Sequence, residues 1–148
     1  MTIAQTATTS FKVELLGAVH NFGPTSPNTF KIALYTAAAG IGPTTTVYTT
    51  SGEVIGAGYT AGGSTLVIST SPTSGLNNAN VPTAFSSFAT ISWPSSTFTA
   101  RGALIYNSTQ GNRAVCVLDF GADKTVSNDT FQIIFPTADA TSAIVRIS

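Results

Sequence analysis

A chain of 148 residues and 15.1 kDa has room for one domain with a substantial core and not for two. Charged residues make up only 8% of it, against about 25% in an ordinary soluble domain, and six basic residues balance six acidic ones. That balance excludes the clustered cationic footprint of a nucleic-acid binder or of a polybasic membrane-surface protein, and no apolar run approaches the roughly 20 residues of a bilayer span.

Hydroxyl groups carry the polarity instead, since 25 Thr and 16 Ser fill 41 positions, a composition that suits strands. Met1 to Thr9 is polar, Thr-rich and unpatterned. It reads as a flexible N-terminal arm (residues 1–9) ahead of a single β-rich domain (residues 10–148), so its removal is expected to leave melting nearly unchanged. It lacks the basic and apolar regions of a secretory signal. Ser10 is the expected N-cap of a helix over Phe11 to Asn21. Phe11, Leu15, Val19 and Phe22 mark its apolar face, and Gly23-Pro24 its end.

Everything after Phe30 reads as β. Phe30 to Tyr35 alternates, Thr36 to Thr46 is a loop, and Thr65 to Thr70 is a short strand. Pro72 to Pro82, with Gly75 and three Asn residues, reads as a turn-rich connection. A strand follows over Phe85 to Trp93, then a bent one over Thr97 to Asn107 kinked near Arg101-Gly102. The strongest local signal is GALIYN, a five-residue loop at Ser108 to Asn112, then RAVCVLDFG, a hairpin whose second strand is apolar enough to be covered on both faces. Asp123 to Asn128 reads as another turn, and Thr130 to Phe135 and Ala143 to Ile147 as the last strands. Seven or eight short strands imply an antiparallel β-sandwich or β-barrel with one N-terminal α-helix.

Candidate chemistry is sparse. His20 has no second histidine and reads as a helix-surface or interface residue. Cys116, the one cysteine, rules out an internal disulfide and sits where a thiol acts as a small hydrophobe. Asp119, Asp123 and Asp129 do not match a calcium loop, and turn formation with pairing to Lys124 is the plainer role. The glycine-rich run Gly56 to Gly63 has the wrong spacing for a phosphate cradle and reads as positive φ or close backbone approach. Asp119-Phe120-Gly121 copies a kinase triplet without the other kinase elements. The N-x-[ST] sites at Asn107 and Asn128 matter only in a secretory pathway. Glu14 and Glu53 and four scattered aspartates give no paired carboxylates for a cell-wall hydrolase. No catalytic, cofactor-binding or metal site is expected, and no enzyme.

The strings FKIALYTAAA, EVIGAGYTAGGSTL, ARGALIYNST, AVCVLDFGADKT and FPTADATSAIVRI resemble small virion structural proteins of tailed bacteriophages, a similarity that runs in order from about Phe11 to Ile147. The resemblance implies a particle component that needs no cofactor. The leading expectation is a capsid decoration (cement) protein, a homotrimer bound between major capsid subunits in the virion after assembly in the host cytoplasm. Near-zero net charge favours such association. The alternative is a tail, baseplate or fibre component, including a receptor-binding head, with Tyr48, Tyr59, Trp93 or Tyr106 as exposed platforms for sugar. Each of those aromatics reads more readily as a core or interface anchor.

Overall fold

The computed structural model describes residues 1–148. It holds β1 (Thr6–Ala7), α1 (Thr9–Leu16), β2 (Phe30–Tyr35), β3 (Ser64–Thr65), β4 (Ile68–Leu76), β5 (Pro82–Phe88), β6 (Ile91–Asn107), β7 (Arg113–Ile133) and β8 (Val145–Ile147). The strands form two antiparallel sheets, one ordered β1-β7-β6-β2-β3 and the other β4-β5-β8. The fold is thus a β-sandwich with one short helix. No helix is long and apolar enough to cross a membrane.

The alternation in β2 sends Phe30, Ile32 and Leu34 into the core between the sheets and Ala33 and Tyr35 to the opposite face. Both faces of the five-stranded sheet are therefore covered around β2 and the β6–β7 hairpin, whereas the far halves of β6 and β7 bury one face only. The main core contains a run of rings: Phe22 stacks on Phe30 at 4.2 Å, and Phe88 of the smaller sheet lies 5.7 Å from Phe30. The second core (Ile3, Ala39, Ile41, Leu104, Tyr106, Ala114, Val117 and neighbours) lies beneath the long loop after β2. A bulge between Ile105 and Tyr106 leaves Val115 as an extra residue on β7. Val115 and Cys116 consequently both face the main core, which breaks the period of two. The expected hairpin is present, with Asn107 paired to Arg113 across the loop 108–112.

Beside the strands expected over Thr65 to Thr70 and Phe85 to Trp93, which are divided between β3 and β4 and between β5 and β6, four expectations are corrected. Asp123 to Asn128 is not a turn, because β6 pairs with its middle: Ala100, Thr99 and Phe98 face Lys124, Thr125 and Val126. Gly121 (φ 76°) and Asn128 (φ 49°) take up extra residues in bulges without reversing the chain. Similarly, β4 runs through Pro72 and Gly75, which an edge strand tolerates. The reversal is confined to Asn77–Asn80, where Asn77 Oδ1 accepts from the amides of Ala79 and Val81.

The helix starts earlier and stops sooner than expected. Thr8, not Ser10, is the N-cap, its Oγ1 accepting from the Phe11 amide. Ala18 ends the helix in the left-handed region (φ 56°), with Ala18 N bonded to Leu15 O and Val19 N to Glu14 O. Those bonds make a Schellman closure in which glycine is the usual residue. Ala18→Gly is expected to raise stability by about 0.5–1 kcal/mol, read as an increase in Tm; an unchanged or lower Tm would contradict it.

The fourth correction concerns the first nine residues, which lie along their own fold. Thr6 and Ala7 pair with Val117 and Cys116, Ala4 N donates to Ile41 O, and Ile3 is buried in the second core. Ile3, Ala7 and the capping Thr8 are what the apparent lack of pattern concealed.

Candidate functional site

The densest polar cluster lies under the loop between β2 and β3, and it gathers all four tyrosines of the chain. Glu53, buried, is its centre. Its Oε2 accepts from the Tyr48 hydroxyl at 2.6 Å, and its Oε1 from the Tyr59 hydroxyl at 2.6 Å and the Gly62 amide at 2.7 Å. Tyr59 also accepts from the Leu34 amide of β2, Tyr106 donates to Gly62 O, and Tyr35 donates to Thr49 O. The loop is thereby fastened to β2 and β6 at several points. Glycine makes the approach close enough: a Cβ on Gly63 (φ 70°) would stand 1.8 Å from Ile32 O, as the reading of the glycine run anticipates.

Burial, reinforced by the negative charge of Glu53, raises the pKa of Tyr35, Tyr48, Tyr59 and Tyr106 above the ordinary 10.0. The unfolded chain therefore releases phenolic protons at lower pH than the folded one. The contribution is whole below pH 10.0 and is lost as pH rises from there through the folded values. In an alkaline titration the phenolate absorbance is expected to lag past pH 10.0 and then rise together with loss of the β circular dichroism signal. Independent tyrosine ionisation near pH 10.0 with the fold intact would contradict this.

A second network stands behind the helix. His20 is not on the helix surface; it lies past the end of α1, with its side chain fully buried. Nε2 is 2.7 Å from Glu14 Oε2, and Nδ1 is 3.0 Å from Asn107 Nδ2. Asn107 Oδ1 accepts from the Gln110 amide, which orients Nδ2 toward His20 Nδ1 and Asn28 Oδ1. The hydrogen-bond partners set His20 to accept at Nδ1 and donate at Nε2. Glu14 Oε1 also binds Arg113 Nη1 at 2.6 Å, and the pair borders an open polar cleft with Ser10, Thr46, Thr109 and Gln110. This chain of bonds ties the helix to the mouth of the β6–β7 hairpin. The spacing of Glu14 and His20, one on the helix and one beyond its stop, hid the pairing in the sequence.

The remaining candidates are dispersed. Burial pushes the Cys116 thiol up to about 12, the behaviour of a small hydrophobe. Asp119 takes up Arg101 at 3.1 Å and the Gly121 amide, not Lys124, and both hold its carboxyl below the usual range. Asp123 and Asp129 do not join it, and no three His, Cys, Asp or Glu side chains converge as metal ligands. Trp93 and Tyr106 are buried, and Tyr48 and Tyr59 half-buried. These four are anchors, as expected, not exposed platforms. The Trp93 indole N–H has no partner within the chain.

The surface is where large apolar side chains stand free. Leu16 is 92% exposed and Ile55 96%, and Val13, Val67, Leu76, Ile134 and Ile147 are also exposed. The whole defines a class, a compact antiparallel sandwich whose polar networks are internal and whose exterior is hydroxylated and sparsely charged. No family model, curated protein or solved structure matches the chain.

Proposed function

We propose that this protein is a virion structural component of a tailed bacteriophage, a non-catalytic decoration protein that stabilises the head shell between major capsid subunits. The observation that carries the reading is the surface: near-fully exposed Leu16 and Ile55 on a body of zero net charge, with few charges to desolvate on contact. Each buried apolar contact is worth about 25 cal/mol per Å², and repetition over many sites turns modest contacts into a firm hold. Self-association, as a homotrimer, adds to that multivalency. The resemblance of the quoted strings to small virion proteins points the same way.

The test is depletion and restoration. Particles lacking the protein are expected to release their genome at lower temperature, and adding the purified chain back is expected to restore the wild-type value. Unchanged stability in both arms would overturn the reading. Copy number separates the shell from the tail alternative, since hundreds of copies per particle fit a shell and a few dozen at most fit a tail or baseplate.

A further inference from the structure

Along one side of the sandwich the smaller sheet ends in β8. This strand is held to β5 by three residue pairs, Val145 with Ser86, Arg146 with Phe85 and Ile147 with Ala84, and its other edge is free. Side chains add a bond between Ser148 and Thr83 and one from Arg146 to the nearby Thr141 carbonyl. The chain before it is well anchored. Asp139 Oδ1 accepts from the amides of Thr141 and Ser142, and the amide of buried Ala143 donates to Asp139 O. From Ile144 onward the only backbone partner is β5.

Cavities lie on both sides of this strand. Val145 and Ile147 border one of about 300 Å³, across which stand Leu15, Phe22 and Pro72. Ile144, Arg146 and Ser148 border another of about 350 Å³, with Phe11, Val115 and Cys116 beyond. Alternate side chains thus look into different spaces, with Val145 bordering both. Native interiors leave few voids larger than a water molecule, so β8 lacks packing partners that an ordinary strand has. Its apolar anchors are Ile144 and Val145, both only partly buried against the main core. The short strand β1 differs, because buried Ile3 and the Thr8 hydroxyl, bonded to Ala114 O, fasten the chain on either side of it.

We infer that residues 144–148 form a gate, which swings out beyond Ala143 while the rest of the fold stays intact. Opening merges the two cavities into one cleft between the sheets. It brings solvent to the floor of that cleft, where Cys116 is 5% exposed in the closed form. Segments with few buried apolar contacts are the ones that open locally, at a cost below that of global unfolding. Access to the interior of the sandwich therefore runs past β8. The gate goes beyond the particle role proposed above and does not depend on it.

The single thiol of the chain reports on the gate. The full chain is treated with a small uncharged maleimide at fixed pH, and labelling of Cys116 is followed at urea concentrations below the unfolding transition. Entry through the gate gives a rate that urea hardly changes, whereas entry by global unfolding gives one that climbs steeply. Val145→Ser is expected to speed labelling about tenfold, with the β circular dichroism signal kept. A disulfide formed by Ser86→Cys with Val145→Cys, positions that face each other, pins the strand and is expected to slow labelling about tenfold. Should Val145→Ser misfold, the pinned form still decides. Ile3→Ala controls for entry past the N-terminal segment and is expected to leave the rate near that of the wild type. A rate that follows global unfolding would overturn the inference. So would a pinned chain labelled as fast as the wild type, or acceleration by Ile3→Ala and not by Val145→Ser.

Discussion

Replacing Glu53 with alanine is expected to cost about 3–5 kcal/mol and to loosen the whole segment between β2 and β3. The reasoning begins with donors. Two phenols and one amide converge on this carboxylate at 2.6–2.7 Å, and hydrogen bonds to charged groups are worth about 1.5–3 kcal/mol each, though not additively. Removing the acceptor leaves these half-buried donors over the cavity the carboxylate vacates, and a donor left without its partner costs about as much as the bond lost. Glu53→Gln is the sharper probe. It keeps the volume but replaces one carboxylate oxygen by an amide NH₂ and removes the charge; its oxygen can still accept from Tyr59 and Gly62 while the Tyr48 hydroxyl turns to accept, so it is expected to destabilise measurably but less than alanine. Urea midpoints for both variants, with tyrosine fluorescence as a probe of the loop, measure the effect. A midpoint for Glu53→Gln within experimental error of wild type would show that the carboxylate does not organise the loop.

Deleting Met1–Thr9 is expected to be nearly as damaging, at about 4 kcal/mol. Burial of Ile3 accounts for about 2–3 kcal/mol, and loss of the Thr8 cap for about 1 kcal/mol. The exposed β7 edge at Cys116 and Val117 and the unpaired Ile41 carbonyl add to this. The measurement is the thermal midpoint of the truncated chain beside two point variants, Ile3→Ala and Thr8→Ala, whose losses should together approach most of the deletion's. A truncated chain that melts with the full-length protein would return the segment to the status of a loose tail.

Much of the sheet structure was readable from local pattern. β2 and the β6–β7 hairpin tip are segments in which side-chain alternation, apolar runs and a loop of turn residues agree. The sequence misled wherever tertiary partners overrode local chemistry. Asp123 to Asn128 has the composition of a turn, yet β6 holds it in the ladder, and Pro72 sits in a strand because that strand is an edge. Ala18 stops the helix from a conformation that alanine seldom adopts, so the apolar spacing through Phe22 carried the expected helix too far. Glu53 was the least legible residue. It lies in a long loop with no periodicity, and only the recurrence of tyrosines at 35, 48, 59 and 106 hinted at a common focus.

The double coverage of the five-stranded sheet has a consequence for how the molecule comes apart. The central strands β2, β6 and β7 each lend alternate side chains to the core on either side. Stripping away one layer would wet the back of the other, so neither can melt while its neighbour survives. Regions sharing elements in this way open as a single foldon. The doubly covered part, β2 with residues 102–107 of β6 and 113–118 of β7, is consequently expected to open as one unit, and its amide protons to exchange last.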